Sequence, residues 1–145
     1  MRLAAVLNDP LRTEKIEQDC VALIEAQVAA KKGVAGLALR GVFKALKAIR
    51  PGILKDAVKR LLPQFVPPLE PHVERGCQRG GLQAHFESHR AEIADALLAV
   101  TDERAQRSSQ RAIVRCYRGA RSAARKHTMQ ALPAVAKLIE RHIDS

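Results

Sequence analysis

The residues most able to do chemistry are a series of arginines between Thr101 and Thr128. On an ideal helix, eight basic side chains of this stretch fall within an arc of about 140°. Guanidinium groups present planar pairs of N–H donors that fit phosphate oxygens, so this arc, the arginine stripe, predicts binding of a polyanion. Its members are Arg104, Arg107, Arg111, Arg115, Arg118, Arg121, Arg125 and Lys126.

A shorter basic series shares the polar side of a helix expected over residues 34–49. Two windows without any acidic residue, 26–55 and 104–139, hold 16 of the 25 lysines and arginines, and the net charge of the chain is +10. This segregation favours a polyanionic partner, with nucleic acid ahead of an acidic protein or an anionic membrane surface. The members of the shorter series are Arg40, Lys44, Lys47 and Arg50.

The composition predicts contact with the phosphate backbone and little reading of bases. Tyr117 is the only tyrosine and tryptophan is absent, so few side chains can stack on single-stranded bases. Asparagine and glutamine, the usual partners of adenine, are scarce among the arginines. We therefore expect a non-enzymatic protein that binds duplex DNA or structured RNA with little sequence specificity.

The same charges allow a second interpretation, in which acidic helices cover the basic ones. Glu14, Glu17, Asp19 and Glu25 make the outer face of the first helix acidic. That helix could dock on a basic helix of its own chain or of a neighbour. Within one molecule the arginines could also meet acids across a helix interface, where each exposed ion pair contributes about 0 to 1 kcal/mol. These acids are Glu14, Glu17, Glu25, Glu87, Glu92 and Asp95. The protein would then be an interaction module, either a homodimer or an adaptor for an acidic protein.

Patterns typical of catalysis or metal binding are weak. His85 and His89 lie one helical turn apart with Glu92 on the same side, but the HExxH pattern is missing. We therefore predict no metal site. No nucleophile motif or phosphate loop occurs, so we expect neither an enzyme nor a cofactor.

The three cysteines and the hydropathy of the chain predict its compartment. The cysteines are far apart and lack CxxC spacing, which indicates free thiols in a reducing cytoplasm. Cys116 should face the core, because a small thiol there packs as a hydrophobic residue. No apolar run approaches the roughly 20 residues of a membrane span, so we expect no integral membrane association.

Helical periodicity predicts the elements of the first half of the chain. A helix should begin at Asp9, a typical N-cap, and end near residues 31–33. A second helix should run over residues 34–49. Gly36 and Gly41 cost that helix stability but allow another helix to approach closely.

Proline and capping residues predict the elements that follow. A third helix begins at Ile53. Four prolines should kink or break it, leaving a short irregular helical or extended passage in a connector rich in proline and glycine over residues 63–81. The next helix can be recapped at Ser88. Separate helices should then start at Thr101, for the arginine stripe, and near Leu132.

The two halves of the chain are similar to each other. Basic positions 40, 44, 47 and 50 correspond to 111, 115, 118 and 121, and Leu62-Pro63 corresponds to Leu132-Pro133. We therefore predict an all-α fold, a single compact domain over residues 1–145 of about six helices, with three-helix repeats at 9–73 and 82–143. The alternative is that short amphipathic windows rich in alanine resemble each other by chance.

Short motifs are spread over most of the chain. They are Arg50-Pro51-Gly52-Ile53, Arg60-Leu61-Leu62-Pro63 with Phe65, residues 96–102, Lys126-His127 and Ala131-Leu132-Pro133. Together they resemble the recurring segments of a family of small helical bacterial proteins catalogued without an assigned function. The resemblance implies a bacterial cytoplasmic protein with an all-helical fold, and it transfers no activity and no site residue.

Overall fold

A computed structural model describes residues 3–78 and 80–143, apart from the side chain of Ile113, and these residues form seven α-helices and no strand. The all-α prediction is confirmed, with one helix more than expected. Positions 1, 2, 79, 144 and 145 of the predicted domain lie outside the described residues. The helices are α1 (Leu3–Val6), α2 (Pro10–Ala30), α3 (Gly33–Ile49), α4 (Ile53–Gln78), α5 (Leu82–Ser88), α6 (Arg90–Arg107) and α7 (Arg111–Ile143).

The start of α2 is the one that the sequence predicts. The carboxylate of Asp9 accepts a hydrogen bond of 3.0 Å from the backbone N–H of Leu11, which satisfies one of the free donors at the helix start. Pro10 occupies the first helical position, where its missing N–H costs nothing.

One glycine of α3 allows the close helix contact that was expected. A Cβ atom added at Gly36 would lie 2.3 Å from the carbonyl oxygen of Lys31, so α3 packs against the end of α2 through bare backbone. A Cβ atom at Gly41 would meet nothing within 4 Å. The expectation is thus confirmed for Gly36 and wrong for Gly41.

The predicted break of the third helix over residues 63–81 is wrong, because α4 continues through all four prolines. Pro63, Pro67 and Pro71 are four residues apart and exposed, so the missing N–H groups lie along one side that faces water. The opposite side of α4 packs into the core, and this burial stabilises the helix. Its core residues are Val66, Leu69 and Val73, with Leu62 packed against them.

The connector that remains between α4 and α5 is short. Gly80 and Gly81 have φ angles of +94° and +113°, a region that favours glycine. Helix α5 ends at Ser88, and α6 begins at Arg90 with His89 as its N-cap and no side-chain capping hydrogen bond, so the predicted recapping at Ser88 is wrong. The Ser88 hydroxyl donates a 3.0 Å hydrogen bond to the carbonyl oxygen of Ala84.

The predicted helix over residues 101–128 is divided into two. Thr101 lies inside α6, which continues to Arg107, and the chain turns at residues 108–110. There the Ser108 hydroxyl accepts a 3.2 Å hydrogen bond from the backbone N–H of Gln110, an alternative to the helical bonding pattern. Helix α7 then runs on through Pro133, so the last predicted helix is a continuation of α7.

The core lies where α1, α4, α5, α6 and the second half of α7 meet, with one residue from α2. Among the described residues, α3 contributes no side chain to this cluster. Within the same residues, no helix combines the length and the apolar character that crossing a bilayer requires. The apolar side chains that are 0% exposed are Val73, Phe86, Ile93, Ala94, Leu132 and Ala136.

The predicted repeat is not confirmed by the positions of the helix ends. At the offset that aligns Arg40 with Arg111, the break between α2 and α3 falls inside α6, and the break after α3 falls inside α7. One block does keep its burial: Leu69 and His72 are buried, and so are Ile139 and His142. The duplication therefore stays a prediction.

Candidate nucleic-acid interface

The twelve predicted basic residues lie on or beside three helices. Arg104 and Arg107 are in the last turns of α6, six others lie on α7 from Arg111 to Lys126, and the shorter series belongs to α3 and the residue that follows it. Because the chain turns between α6 and α7, the arginine stripe is not one continuous row.

Helix α6 and the first half of α7 form an antiparallel hairpin. The Tyr117 hydroxyl donates to Asp102 at 2.6 Å, and the hydroxyl oxygens of Tyr117 and Thr101 are also 2.6 Å apart. Burial, followed by the hydrogen bond to Asp102, raises the pKa of Tyr117. These contacts join residues on opposite sides of the turn, so Arg107 and Arg111 lie at the end of the hairpin.

Two members of the arginine stripe are held by carboxylates of α6. Arg121 donates to both oxygens of Asp102 at 2.8 and 2.9 Å, and Arg125 donates to both oxygens of Asp95 at 2.7 and 3.3 Å. The hydrogen bonds from these arginines lower the pKa of each aspartate. Such two-pronged pairs are the strong form of the arginine–carboxylate contact, so these guanidinium groups are engaged within the hairpin.

Four other basic side chains of α7 face solvent. No ion pair or hydrogen bond joins their side chains to another described residue. On the helix they fall within an arc of about 80° and extend over about 22 Å along the axis. We call this set the outer basic row, and its members are Arg111, Arg115, Arg118 and Lys126.

The two arginines of α6 differ from each other. Arg104 is exposed and makes no ion pair with a described residue. Arg107 pairs with Glu103 one turn earlier at 2.5 Å, with both side chains more than half exposed. An exposed pair of this kind contributes little to stability, so Arg107 can exchange its carboxylate for another anion.

The outer basic row continues into a groove that the sequence did not indicate. This groove has a volume of about 580 Å³, and Lys31, Lys32, Lys126 and His127 are among its lining residues. Burial is the main cause that lowers the pKa of His127, and the nearby Lys31 and Lys126 lower it further. The lysines of α2 were expected only to end a helix, because sequence does not show which distant helix passes beside them.

The basic series of α3 is mostly tied to neighbouring residues. Arg40 donates to the carbonyl oxygen of Lys31 at 2.6 Å, Lys47 bonds Glu25 at 3.0 Å, and Arg50 pairs with Asp56 at 2.9 Å. The remaining member, Lys44, has no such partner among the described residues. One acid of α2 thus meets α3, as the alternative interpretation requires, but this single exposed pair does not cover the series.

The placement of Cys116 in the core is wrong. Cys116 is exposed together with Ala112, Ala120 and Ala123. Helix α7 meets α6 through the side that carries Tyr117 and the two paired arginines. From the sequence, one side of this helix carries guanidinium groups and the opposite side carries small apolar residues. In the structure, α7 packs against α6 not through the small apolar side but through the side from which Tyr117 reaches a carboxylate of α6.

A histidine cluster connects α4 to α5, and its third member follows α5. His72 Nδ1 and His85 Nε2 are 3.0 Å apart, and the rings of His85 and His89 stack with centroids separated by 4.1 Å. Burial is the main cause that lowers the pKa of both His72 and His85. In the part of the chain that the structure describes, no three histidine, cysteine or acidic side chains are arranged to hold a metal ion.

These features define a basic all-α protein with a row of solvent-facing cations on one helix of a hairpin. The chain belongs to DUF6918, a family of unknown function, whose model matches residues 3–143. The resemblance to a catalogued family without an assigned function is thereby confirmed. No curated protein and no solved structure matches the chain.

Proposed function

We propose that the protein binds nucleic acid through the phosphate backbone with little sequence specificity. The outer basic row carries this proposal, because its four side chains face solvent and have no partner among the described residues. No acidic residue occurs over residues 104–139 to offset their charge locally. The groove with Lys31 and Lys32 extends the same positive surface beyond Lys126.

The dimensions of the row suit a duplex. Its length of about 22 Å covers more than half of the roughly 34 Å turn of B-form DNA. If each of its four cations neutralises one phosphate, the logarithm of the affinity should fall with the logarithm of salt concentration with a slope of about −3.6. Arg121 and Arg125 should add little to this slope, since Asp102 and Asp95 already engage them.

Duplex DNA or structured RNA fits the surface better than a single strand does. Tyr117 is held in the hairpin by its hydroxyl, so its ring is not a free platform for base stacking. We also propose that the protein is located in a bacterial cytoplasm. Its three cysteines are free, and a reducing compartment keeps them so.

Charge reversal of the row tests this proposal. Replacing Arg111→Glu, Arg115→Glu and Arg118→Glu together should weaken binding to a short DNA duplex at low salt by at least about a hundredfold. Thermal stability should change little, because none of these side chains bonds another described residue. The measurement is an electrophoretic mobility shift, accompanied by circular dichroism melting.

A matched variant separates a site from the effect of net charge. Lys15→Glu, Lys59→Glu and Arg60→Glu make the same change in charge on exposed positions of α2 and α4. Loss of binding in the first triple variant alone supports the proposal. Binding that survives in the first variant, or falls equally in both, contradicts the assignment of the site to α7.

A second candidate function, a protein interaction module, is favoured by the surface of α3. Five of the six strongly exposed large hydrophobic residues in the described ranges lie on this helix. Contiguous exposed apolar surface marks interaction sites. With Lys44 and Lys47 beside it, the apolar side of α3 fits an acidic amphipathic helix of another protein. The five residues are Val34, Leu37, Val42, Leu46 and Ile49.

Sedimentation and peptide binding test the second candidate. A monomer that binds an acidic amphipathic peptide, and loses that binding on Val42→Asp with Ile49→Asp, supports an acidic partner. A dimer that the same double variant dissociates assigns the face to a second copy of the chain instead. A monomer that does not bind the peptide contradicts the candidate.

A further inference from the structure

An apolar cavity lies between α2, α4 and α7. Helix α1 contributes to its lining, and Phe43 of α3 also lines it. Its volume is about 340 Å³, within the range of small-molecule sites. It is distinct from the outer basic row, which lies on the first half of α7. The cavity uses only residues 135–142 of that helix.

Almost every side chain that lines the cavity is a hydrocarbon. The two exceptions are Cys20 and His142. Burial is the main cause that raises the pKa of the Cys20 thiol to about 11, so the thiol stays neutral and unreactive. His142 Nε2 is 2.7 Å from a carboxylate oxygen of Asp19. An apolar lining of this kind favours the binding of apolar molecules.

A basic groove adjoins this cavity across a single side chain. The groove runs between α2 and α3, has a volume of about 320 Å³ and includes Arg40, Lys44 and Lys47 in its lining. Phe43 lines both spaces. Lys44 has no partner among the described residues, and the Lys47–Glu25 pair is nearly half exposed on both sides, so both ammonium groups are accessible to an anion.

The geometry points to a binding site for a single-chain anionic amphiphile, with its hydrocarbon chain in the cavity and its head group on Lys44 and Lys47. A carboxylate, sulfate or phosphate head satisfies the ammonium groups. A neutral head gains nothing from the groove, and a cationic head is repelled by it. This site is independent of the proposed nucleic-acid interface, since the outer basic row takes no part in it.

The class of ligand can be tested with three probes that have the same twelve-carbon tail and different head groups. Dodecanoate, 1-dodecanol and dodecyltrimethylammonium, each below its micelle concentration, are titrated by calorimetry against the full chain. We expect dodecanoate to bind about twofold to fivefold more tightly than the alcohol, as an exposed ion pair allows. The cationic probe should bind most weakly.

Two substitutions test separately where the hydrocarbon tail and the head group of the ligand bind. Ala57 lines the cavity, and Ala57→Phe should fill it and weaken dodecanoate at least about tenfold. Should that variant fail to fold by circular dichroism, Ala57→Leu gives the same test with a smaller volume. Lys44→Glu should weaken dodecanoate about threefold to tenfold and leave dodecanol unchanged, while Lys15→Glu on the exposed face of α2 should affect neither.

Each outcome supports or overturns the site. Loss of dodecanoate binding in the Ala57 variant, with the head-group effect confined to Lys44→Glu, supports it. Binding that is unaffected by filling the cavity overturns it. So does binding to vesicles that contain phosphatidylglycerol without binding of monomeric dodecanoate, because that result assigns the affinity to the surface of α3. The Arg111, Arg115 and Arg118 variant should bind dodecanoate normally, which separates this inference from the nucleic-acid proposal.

Discussion

Two helix pairs of this protein share one sequence pattern and use it differently. In each pair an acidic helix is followed by a helix with basic residues at matching intervals. Between α6 and α7, two arginines form ion pairs with two aspartates, and the Tyr117 hydroxyl donates a hydrogen bond to Asp102. In α2 and α3, the side-chain ion pair is one exposed contact between Lys47 and Glu25. Val34 and Ile49 of α3 remain 85% and 79% exposed.

The difference shows what a charge pattern does and does not determine. The basic residues of α3 and of α7 have the same spacing in the sequence. Which acidic residue each of them contacts depends on the rotation of its helix about the helix axis. Helix α7 is anchored by its second half, which lies in the core, so its first half is held beside α6. Helix α3 has no such extension, because the chain leaves it at Pro51. At Gly36 it passes close to the backbone of Lys31, the residue that caps the end of α2.

The largest effect that we expect concerns the glycines of the two pairs. Gly36→Ala places a Cβ atom 2.3 Å from the carbonyl oxygen of Lys31 and should lower the free energy of unfolding by about 1 to 3 kcal/mol. Gly41→Ala and Gly119→Ala meet nothing within 4 Å and should each raise it by about 0.5 to 1 kcal/mol. Urea denaturation of the three variants measures both signs. A stabilising Gly36→Ala would mean that α3 does not pack against α2 as described.

The glycines also show how far sequence reasoning reaches. The sequence placed a close approach at both Gly36 and Gly41, and only the structure shows that the end of α2 lies beside the first. The bounds of α2 and α3 were predicted well, because Asp9, Pro10 and Pro51 act locally. The continuity of α4 was not, because it depends on a core contact by the side opposite Pro63 and Pro67. Four of the eight residues of the arginine stripe form the outer basic row, and no local signal tells them from Arg121 or Arg125.

A smaller effect is expected from the hydroxyl that joins α6 to α7. Tyr117→Phe removes the hydrogen bonds to Asp102 and Thr101 and should lower the free energy of unfolding by about 1 kcal/mol. Lys47→Ala removes the exposed ion pair with Glu25 that joins α3 to α2. It should lower the free energy of unfolding by about 0 to 1 kcal/mol. Equal costs for the two substitutions in urea denaturation would contradict the tighter closure of α6 on α7.

The aspartates that hold α7 make its pairing with α6 sensitive to acid. The pKa of Asp95 and of Asp102 is lowered from the ordinary 3.8 by their arginines. Their stabilising contribution is therefore fully present above that pH and is lost as the pH falls through the lowered values. We expect Arg121→Gln with Arg125→Gln to be less stable than the natural chain at pH 7, and the gap to narrow below pH 3.8. A gap that stays constant with pH would mean that the ionised aspartates are not the source of the stability that the two arginines contribute.

The smallest effect is expected on the apolar side of α3. Val34→Ser with Ile49→Ser should change the free energy of unfolding by less than about 0.5 kcal/mol, because both side chains already face water. Val114→Ser, half-buried in α7, should cost about 1 kcal/mol. The comparison is made by urea denaturation at two protein concentrations that differ tenfold. A larger loss on α3 that depends on protein concentration would show that a second copy covers this helix in solution. The two helix pairs would then differ in whether their partner lies in the same chain or in another.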